Sequence, residues 1–438
     1  MKKVVMTIAG SDSGGGAGVQ ADLKAFAALG MYGTCAITSI TAQNTLGVQR
    51  TYDLPTDVIT AQIEAVLSDF GVAYAKTGML SSSEIIRAVA QEIKKHKIPV
   101  VVDPVMVAEA GGSLLREGAV SVLIKELIPL AKVITPNIFE AEALSGVRVK
   151  DKESAKLAAR KIHDLGADGV LITGGHLDAV DILYDGEFIF IPGELIDKGT
   201  HGAGCTHSAA LTAYLAKGFA LKDAAIKAKE FVTAAIAGGA DVGRGTNPVD
   251  GVAAIRGGAE RYRVMKNLQD AVLMLEKCEG FSALIPEVGT NIGMALPDAT
   301  DTEDVAAVVG RIVRIDGARV VGNIDFGASK HVARVILAAM KFDENMRGAI
   351  NIRYSPEVLS ACKKLGFTIA SFDRKDEPRG VSTMEWGTMQ AIESFGAVPD
   401  AIYDLGGIGK EAMVRIFGRS AIEVAKKAID VANAMRKD

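Results

Sequence analysis

The segment Gly199-Thr200-His201-Gly202-Ala203-Gly204-Cys205-Thr206 runs into an apolar helical stretch beginning His207-Ser208-Ala209-Ala210. A glycine-rich turn that opens a helix presents successive backbone N–H groups, and these form an anion hole able to hold a phosphoryl group in transfer. Gly202, Ala203 and Gly204 are the expected hole. The thiol of Cys205 lies inside it, where amides and the helix dipole are expected to acidify it and make it a base toward a substrate hydroxyl. The competing reading is a small buried cysteine in a tight turn. A second glycine-rich stretch, Gly10-Ser11-Asp12-Ser13-Gly14-Gly15-Gly16-Ala17-Gly18, follows an apolar run and precedes a helical one. Its spacing is not GxGxxG, and no GxxxxGK[ST] occurs, so neither the dinucleotide fingerprint nor the P-loop is present.

Two carboxylate sites accompany these turns. Asp103 follows Val100-Val101-Val102, and Asn137 and Glu140 follow the run ending at Ile134. Ligands of open α/β sheets bind at the carboxyl ends of strands, so these residues are candidates for a hard-oxygen Mg2+ site beside nucleotide phosphates. Taken singly, each also reads as a helix cap or solvated turn. Farther along, Lys330 and His331 open a helix after a Gly-Ala-Ser turn, where N–H dipoles and cations converge on an anion. Asn351 and Arg353 close one apolar run, Asp373-Arg374 follow the next, and Gly406-Gly407-Ile408-Gly409-Lys410 follow Leu405. If these runs are parallel strands, the four clusters share one rim and imply a phosphorylated ligand.

The elements that must position these groups alternate between strand and helix. Residues 4–9, 33–40, 99–102, 132–135 and 169–173 are apolar strand-like runs separated by helical patterns, which predicts an α/β unit with a mostly parallel sheet over residues 1–255. Residues 241–258 are rich in Gly, Pro and Asn and read as a linker. Beyond them, helical patterns are expected over 262–277 and 301–314, the latter carrying Arg311. A second α/β alternation follows, with strands at 320–326, 349–354, 367–372 and 401–405 and helices at 330–340, 356–365, 383–395 and 420–435. A second domain over 262–438 is the expectation.

Length and composition exclude other classes. The 438 residues are 49% hydrophobic and 23% charged with a formal charge of −4, and no apolar run approaches a membrane span. No block of like charge suits nucleic acid or a membrane surface. The N-terminal apolar stretch is too short for a signal peptide, so the cytoplasm is expected. Four scattered cysteines permit neither a disulfide framework nor a CxxC zinc pair.

Residues 1 to about 250 resemble the hydroxymethylpyrimidine/phosphomethylpyrimidine kinases of thiamine synthesis. The resemblance is carried by Thr7 to Asp12, Gly14 to Lys24, Ala42-Gln43-Asn44-Thr45-Leu46-Gly47-Val48, Lys76-Thr77-Gly78-Met79-Leu80, Asp103-Pro104-Val105-Met106, Thr135 to Glu140 and Gly202 to Cys205. It implies a ribokinase-like fold, two ATP- and Mg2+-dependent phosphorylations, and commonly a homodimer. By the same motifs Gln43 would hydrogen-bond the aminopyrimidine, with Met79 and Val105 against its ring and Gly10 and Asp22 nearby. Cys205 would be the base, and Asn137 and Glu140 would orient the metal. Relatives acting on sugars or pyridoxal usually carry Asp at the Cys205 position. Two departures stand out: Thr173 replaces the usual lysine of Lys-Gly-Gly-His, and Glu109 that of Ala-Lys-Ser-Gly.

Residues from about 262 to 438 resemble the thiamine-phosphate synthase domain fused to such kinases in archaea, through Gly310-Arg311-Ile312, Phe326 to Arg334, Asn351 to Ser355 and Asp404 to Glu411. The resemblance implies joining of hydroxymethylpyrimidine diphosphate to hydroxyethylthiazole phosphate with loss of pyrophosphate. Arg311 and His331 are then the expected stabilisers of the departing pyrophosphate, with Lys330 and Arg353 assisting. The rival expectation is a non-catalytic domain that senses thiamine phosphate.

Overall fold

In the computed structural model, residues 2–436 are described apart from 108–114, 117, 176, 240, 377–382 and 408. Glu109, His176 and Ile408 therefore lie outside the described residues. The chain divides into two compact units, Met1–Arg256 and Gly257–Asp438. Among the described residues no helix is long and apolar enough to cross a membrane.

The described residues of the first unit form nine strands: β1 (Val4–Asp12), β2 (Tyr32–Asn44), β3 (Gly47–Asp53), β4 (Val72–Thr77), β5 (Val100–Val102), β6 (Ala131–Ile134), β7 (Val170–Ile172), β8 (Asp181–Tyr184) and β9 (Phe188–Ile191). They form one sheet in the order β3-β2-β1-β4-β5-β6-β7-β8-β9. The pairs from β2 through β7 are parallel, with antiparallel β3, β8 and β9 at the two edges. The continuous apolar runs follow from burial on both faces. Val100 and Val102 pack under the helices of one face while Val101 packs under those of the other, as the two-residue period requires. Helices Ser83–His96 and Lys152–His163 cover the first face, and Ala203–Lys217 and Leu221–Ala237 the second.

The glycine- and proline-rich stretch after residue 240 is not a free linker. Thr246 N–H donates to Thr45 O at 3.0 Å and Val249 N–H to His201 O at 3.0 Å, so it closes over the turns of the first unit. The next helix begins at Ala253 and carries Gly257 and Gly258 within it.

The second unit has β10 (Ile292–Ala295), β11 (Val305–Val308), β12 (Arg311–Arg314), β13 (Ala318–Val321), β14 (Ile324–Phe326), β15 (Gly348–Arg353), β16 (Ile369–Ser371), β17 (Ala401–Asp404) and β18 (Met413–Gly418). Seven form a sheet in the order β14-β11-β10-β15-β18-β17-β16, and β12 and β13 make a separate hairpin. Helices Lys330–Met340 and Thr383–Phe395 pack on one face. Ala253–Lys277, Pro356–Lys364 and Ala421–Arg436 pack on the other.

Three expectations are corrected here. The helix expected over 301–314 is a short turn, Thr302–Asp304, followed by β11 and β12, so Arg311 lies on a strand. Val305-Ala306-Ala307-Val308 is apolar on both faces because it is an interior strand, a pattern that periodicity cannot separate from a buried helix. The strand expected over 320–326 is split at Gly322, whose φ of +98° turns β13 away from β14. Among the described residues of the second unit, only β16 and β17 pair in parallel; every other strand pair there is antiparallel. Through these pairings β15, β16 and β17 point one way and β14 the other, so the four clusters do not share a rim as ends of parallel strands.

Candidate functional site

In the first unit the two glycine-rich turns are packed against each other. Gly202 has φ +81°, and a Cβ there would meet Gly16 O at 1.8 Å. A Cβ on Gly18, at φ +56°, would meet Gly10 O at 2.3 Å. Asp12 organises the first turn, its carboxylate accepting from the N–H groups of Gly14, Gly16 and Ala17 at 2.8–3.0 Å. His201 Nε2 reaches the same carboxylate at 3.1 Å. Against the effect of burial, His201 and the amides of Ala17 and Gly14 hold Asp12 below its ordinary value. His201 Nε2 also lies 3.3 Å from Gln43 Nε2. A ring nitrogen that donates to Asp12 cannot accept from Gln43, so this contact does not satisfy the Gln43 amide. Gly10 and Met79 are neighbours, a Gly10 Cβ falling 3.3 Å from Met79 Sδ. Val105 is half-buried beyond Asp103.

Beneath these groups lies a buried network. Lys76, at the end of β4, is wholly inaccessible and donates to both oxygens of Asp22 at 2.9 Å. Thr7 Oγ1 donates to Asp22 at 2.6 Å. Lys76 Nζ is also 3.7 Å from Asp103, which accepts from Ser208 Oγ at 2.8 Å. Although burial opposes it, the charges of Asp22, Cys205 and Asp103 keep Lys76 above its ordinary value and therefore cationic. Asp22 is consumed by Thr7 and Lys76, so it is not a free ligand donor.

Cys205 stands in the first turn of Ala203–Lys217 as expected, but its electrostatics are reversed. Burial, together with Asp22 and Asp103, pushes the thiol up to about 12, outweighing Lys76 and the Gly18 N–H. A helix terminus by itself lowers a thiol, and here the burial and the carboxylates that tertiary packing brings in outweigh it.

Asn137 and Glu140 form a reciprocal capping box on Ile138–Ser145, each side chain accepting from the other's N–H. Glu140 also accepts from Met106 N–H at 3.3 Å. Burial first, and then the charge of Asp103, raise Glu140 to about 8. The charge of Asp103 is felt at Glu140, and two neighbouring hard carboxylates are donors that would suit a divalent cation such as Mg2+, with Asn137 capping the helix that carries Glu140. Among the described residues the cluster with metal-ligand spacing is elsewhere, at Glu64, Glu92 and His96 on the surface.

At the departure from lysine, Thr173 N–H donates to Pro136 O. The next residue, Gly174, donates its N–H to Asp181 Oδ1 at 2.8 Å, and Lys229 binds that oxygen at 2.7 Å. A cation thus reaches this loop from another helix.

In the second unit His331 is exposed at the start of Lys330–Met340, as is Lys330. Crowding by the protein, then the charges of Arg415, Arg311 and Arg374, push its imidazole down to about 4 against the pull of Asp404. His331 is therefore neutral at pH 7 in the ligand-free protein, not the cation expected. Because its folded value lies below the unfolded 6.5, charging it opposes folding as pH falls. An NMR pH titration should show the His331 ring neutral at pH 6 with a midpoint near 4; a midpoint near 6.5 would contradict this environment.

Asn351 lines the same small cavity as His331. Its Oδ1 accepts from Asn291 N–H at 2.7 Å and its Nδ2 donates to Gly289 O at 3.1 Å, so it ties β15 to the 289–291 segment. Arg353 retains a buried Nε with no partner. His331 lines a small cavity with Asn351 and Arg415 despite the reversed direction of β14. Lys76, Asp404 and Arg415 were not among the expected site residues. For Lys76 and Arg415 the available signal was a single cation inside an apolar strand run, which is costly unless paired.

Residues 12–250 match the phosphomethylpyrimidine kinase family, and residues 267–430 match thiamine-phosphate synthase ThiN. The chain is 39% identical over 428 residues to the bifunctional thiamine biosynthesis protein ThiDN of Methanocaldococcus jannaschii, covering 97% of both. It is 48% identical over 258 residues to a hydroxymethylpyrimidine/phosphomethylpyrimidine kinase of Haemophilus influenzae, spanning 57% of this chain and 96% of that one. Among solved structures, the ADP complex of Bacillus subtilis pyridoxal kinase is 44% identical with a TM-score of 0.55, covering 58% of this chain and 99% of that chain.

Proposed function

Because this chain belongs to the bifunctional thiamine biosynthesis proteins, with a phosphomethylpyrimidine kinase domain followed by a thiamine-phosphate synthase domain, we propose how its residues divide the work. The enzyme phosphorylates hydroxymethylpyrimidine and then its monophosphate with ATP, and condenses the diphosphate with hydroxyethylthiazole phosphate to thiamine phosphate.

In the kinase unit the pyrimidine lies against Met79 and Val105, beside Gly10, with Gln43 hydrogen-bonding its ring. The N–H groups of Gly202, Ala203 and Gly204 hold the transferring phosphoryl group. As the substrate oxygen bonds to the γ-phosphorus, the bond from that phosphorus to the bridging oxygen breaks, and the thiolate form of Cys205, a minor fraction at neutral pH, takes the hydroxyl proton. Asp22 acts through Lys76, whose ammonium offsets charge around Cys205 and Asp103. Asp103 and Glu140 would hold Mg2+, which supplies charge neutralisation at the phosphates. The observation that carries this reading is the convergence of Lys76, Asp22 and Asp103 on Cys205.

In the synthase unit the thiazole nitrogen bonds to the pyrimidine methylene while the carbon–oxygen bond to diphosphate breaks. Arg311, Lys330 and Arg353 offset the charge of the departing pyrophosphate, and neutral His331 donates a hydrogen bond to it. Exposed Tyr32, Ile40 and Tyr52 near the β2–β3 edge support a homodimer. Free cysteines at all four positions support a reducing compartment such as the cytoplasm.

The test is the purified chain with ATP, Mg2+, hydroxymethylpyrimidine and thiazole phosphate. Thiamine phosphate should form, and His331→Ala should abolish coupling while leaving pyrimidine diphosphate to accumulate. Tight binding of thiamine phosphate with no coupling from supplied pyrimidine diphosphate would instead make the second unit a sensor. Faster turnover of pyridoxal than of the pyrimidine would overturn the kinase substrate.

A further inference from the structure

The middle of β18 carries an arginine that the apolar strand around it does not explain. Arg415 is 1% exposed. Its Nη1 donates to Asp404 Oδ2 at 2.7 Å, whereas Nε and Nη2 are buried with no acceptor. Asp404 is itself fully buried and also binds Arg374 through that residue's Nε and Nη2. One carboxylate is therefore shared by two guanidiniums, and the cluster keeps a net positive charge. The Arg415 guanidinium lies 5.6 Å from the centroid of the Phe372 ring, which restrains its plane. It lines a small cavity with His331 and Asn351. Asn351 has its carbonyl oxygen and an amide hydrogen committed to the backbone, whereas Arg415 keeps two donor nitrogens unspent.

A buried cation with two unused donors is costly unless a ligand supplies the acceptors. The charges of Arg311, Arg374 and Arg415 converge on exposed His331, so an anion arriving from solvent meets several cations at one place. We infer that Arg415 and Arg374, bracketed by Asp404, bind the diphosphate group in the synthase unit, with Arg415 as its innermost donor. The inference rests on the synthase reading above. Planar guanidiniums favour phosphate oxygens bidentately, and two linked phosphates offer more acceptors to three such groups than one phosphate does. Asp404 is a positioning residue that fixes the angle between its two arginines.

The probe is inorganic pyrophosphate, titrated calorimetrically into the full-length protein, with inorganic phosphate and thiazole phosphate as the alternative ligands. Arg415→Gln and Arg374→Gln should each weaken pyrophosphate binding about tenfold or more, the loss expected when a charge-assisted hydrogen bond is removed. KM for the pyrimidine diphosphate should rise in step, with KM for thiazole phosphate and the kinase rate unchanged. Should Arg415→Gln fail to fold, Arg374→Gln, whose side chain is 10% exposed in the native protein, carries the test. Unchanged pyrophosphate affinity in a folded variant overturns the assignment. So does a selective rise in KM for thiazole phosphate, which would move these arginines to the monophosphate. Wild-type protein that binds pyrophosphate yet does not couple overturns the synthase reading and leaves the anion site standing.

Discussion

Lys76→Met is expected to destabilise the first unit by about 3–5 kcal/mol, the cost of breaking a buried ion pair from one side, and to abolish phosphorylation. Asp22 would keep only Thr7 as a partner in a place with no solvent access, and Asp103 would face it without a cation between them. Adding Asp22→Asn removes the stranded charge, so the double variant should regain most of the lost stability. It should not regain activity, because the cation beside Cys205 and Asp103 is still missing. Urea denaturation of the full chain, followed at the transition of the first unit, measures the first effect, and ATP-dependent phosphorylation the second. A Lys76→Met protein as stable as wild type would show that the network carries little energy. An active double variant would show that Lys76 only neutralises Asp22.

Cys205→Ala should lower the kinase rate by about 10²–10⁴-fold, the range of general acid–base contributions, and leave coupling from supplied pyrimidine diphosphate intact. The raised thiol adds a second signature. A group held up to about 12 is almost entirely protonated at neutral pH, and its thiolate fraction grows tenfold per pH unit. If the thiolate takes the hydroxyl proton, the wild-type rate should climb with pH between 7 and 9, and the Cys205→Ala rate should be flat. A flat wild-type profile with the full Cys205→Ala defect would make Cys205 a residue that positions the hydroxyl. Loss of coupling in the same variant would contradict the division between units.

The candidate sites were legible in different degrees for physical reasons. The turn at Gly202 to Cys205 could be read because glycine there answers a backbone need: a positive φ and a contact with Gly16 that leaves no room for a Cβ. Lys76 could not be assigned a role, since a lone lysine in β4 says nothing of Asp22, 54 residues earlier. In the second unit strand and helix positions were mostly readable, but 301–314 was misassigned because its buried apolar run fits either element. The strand Met413–Gly418 was missed, and with it Arg415.

The direction of the second sheet shows why local pattern was insufficient there. Strand ends can be read from sequence, whereas pairing partners cannot, and β14 runs opposite to β15. His331 nevertheless lines a cavity with Arg415 and Asn351. Its neutral state follows from that crowding.

By itself the sequence determined two α/β units, the glycine turns, the thiol and the basic residues, because these depend on residue type and short spacing. The tertiary structure alone decided their charge states and partners: Cys205 raised by carboxylates, Asp22 spent on Lys76, Asn351 spent on backbone, and Arg415 left with donors to give. Hydrogen bonds and pKa values depend on groups within a few ångströms, and here those groups come from strands and helices far apart in the chain.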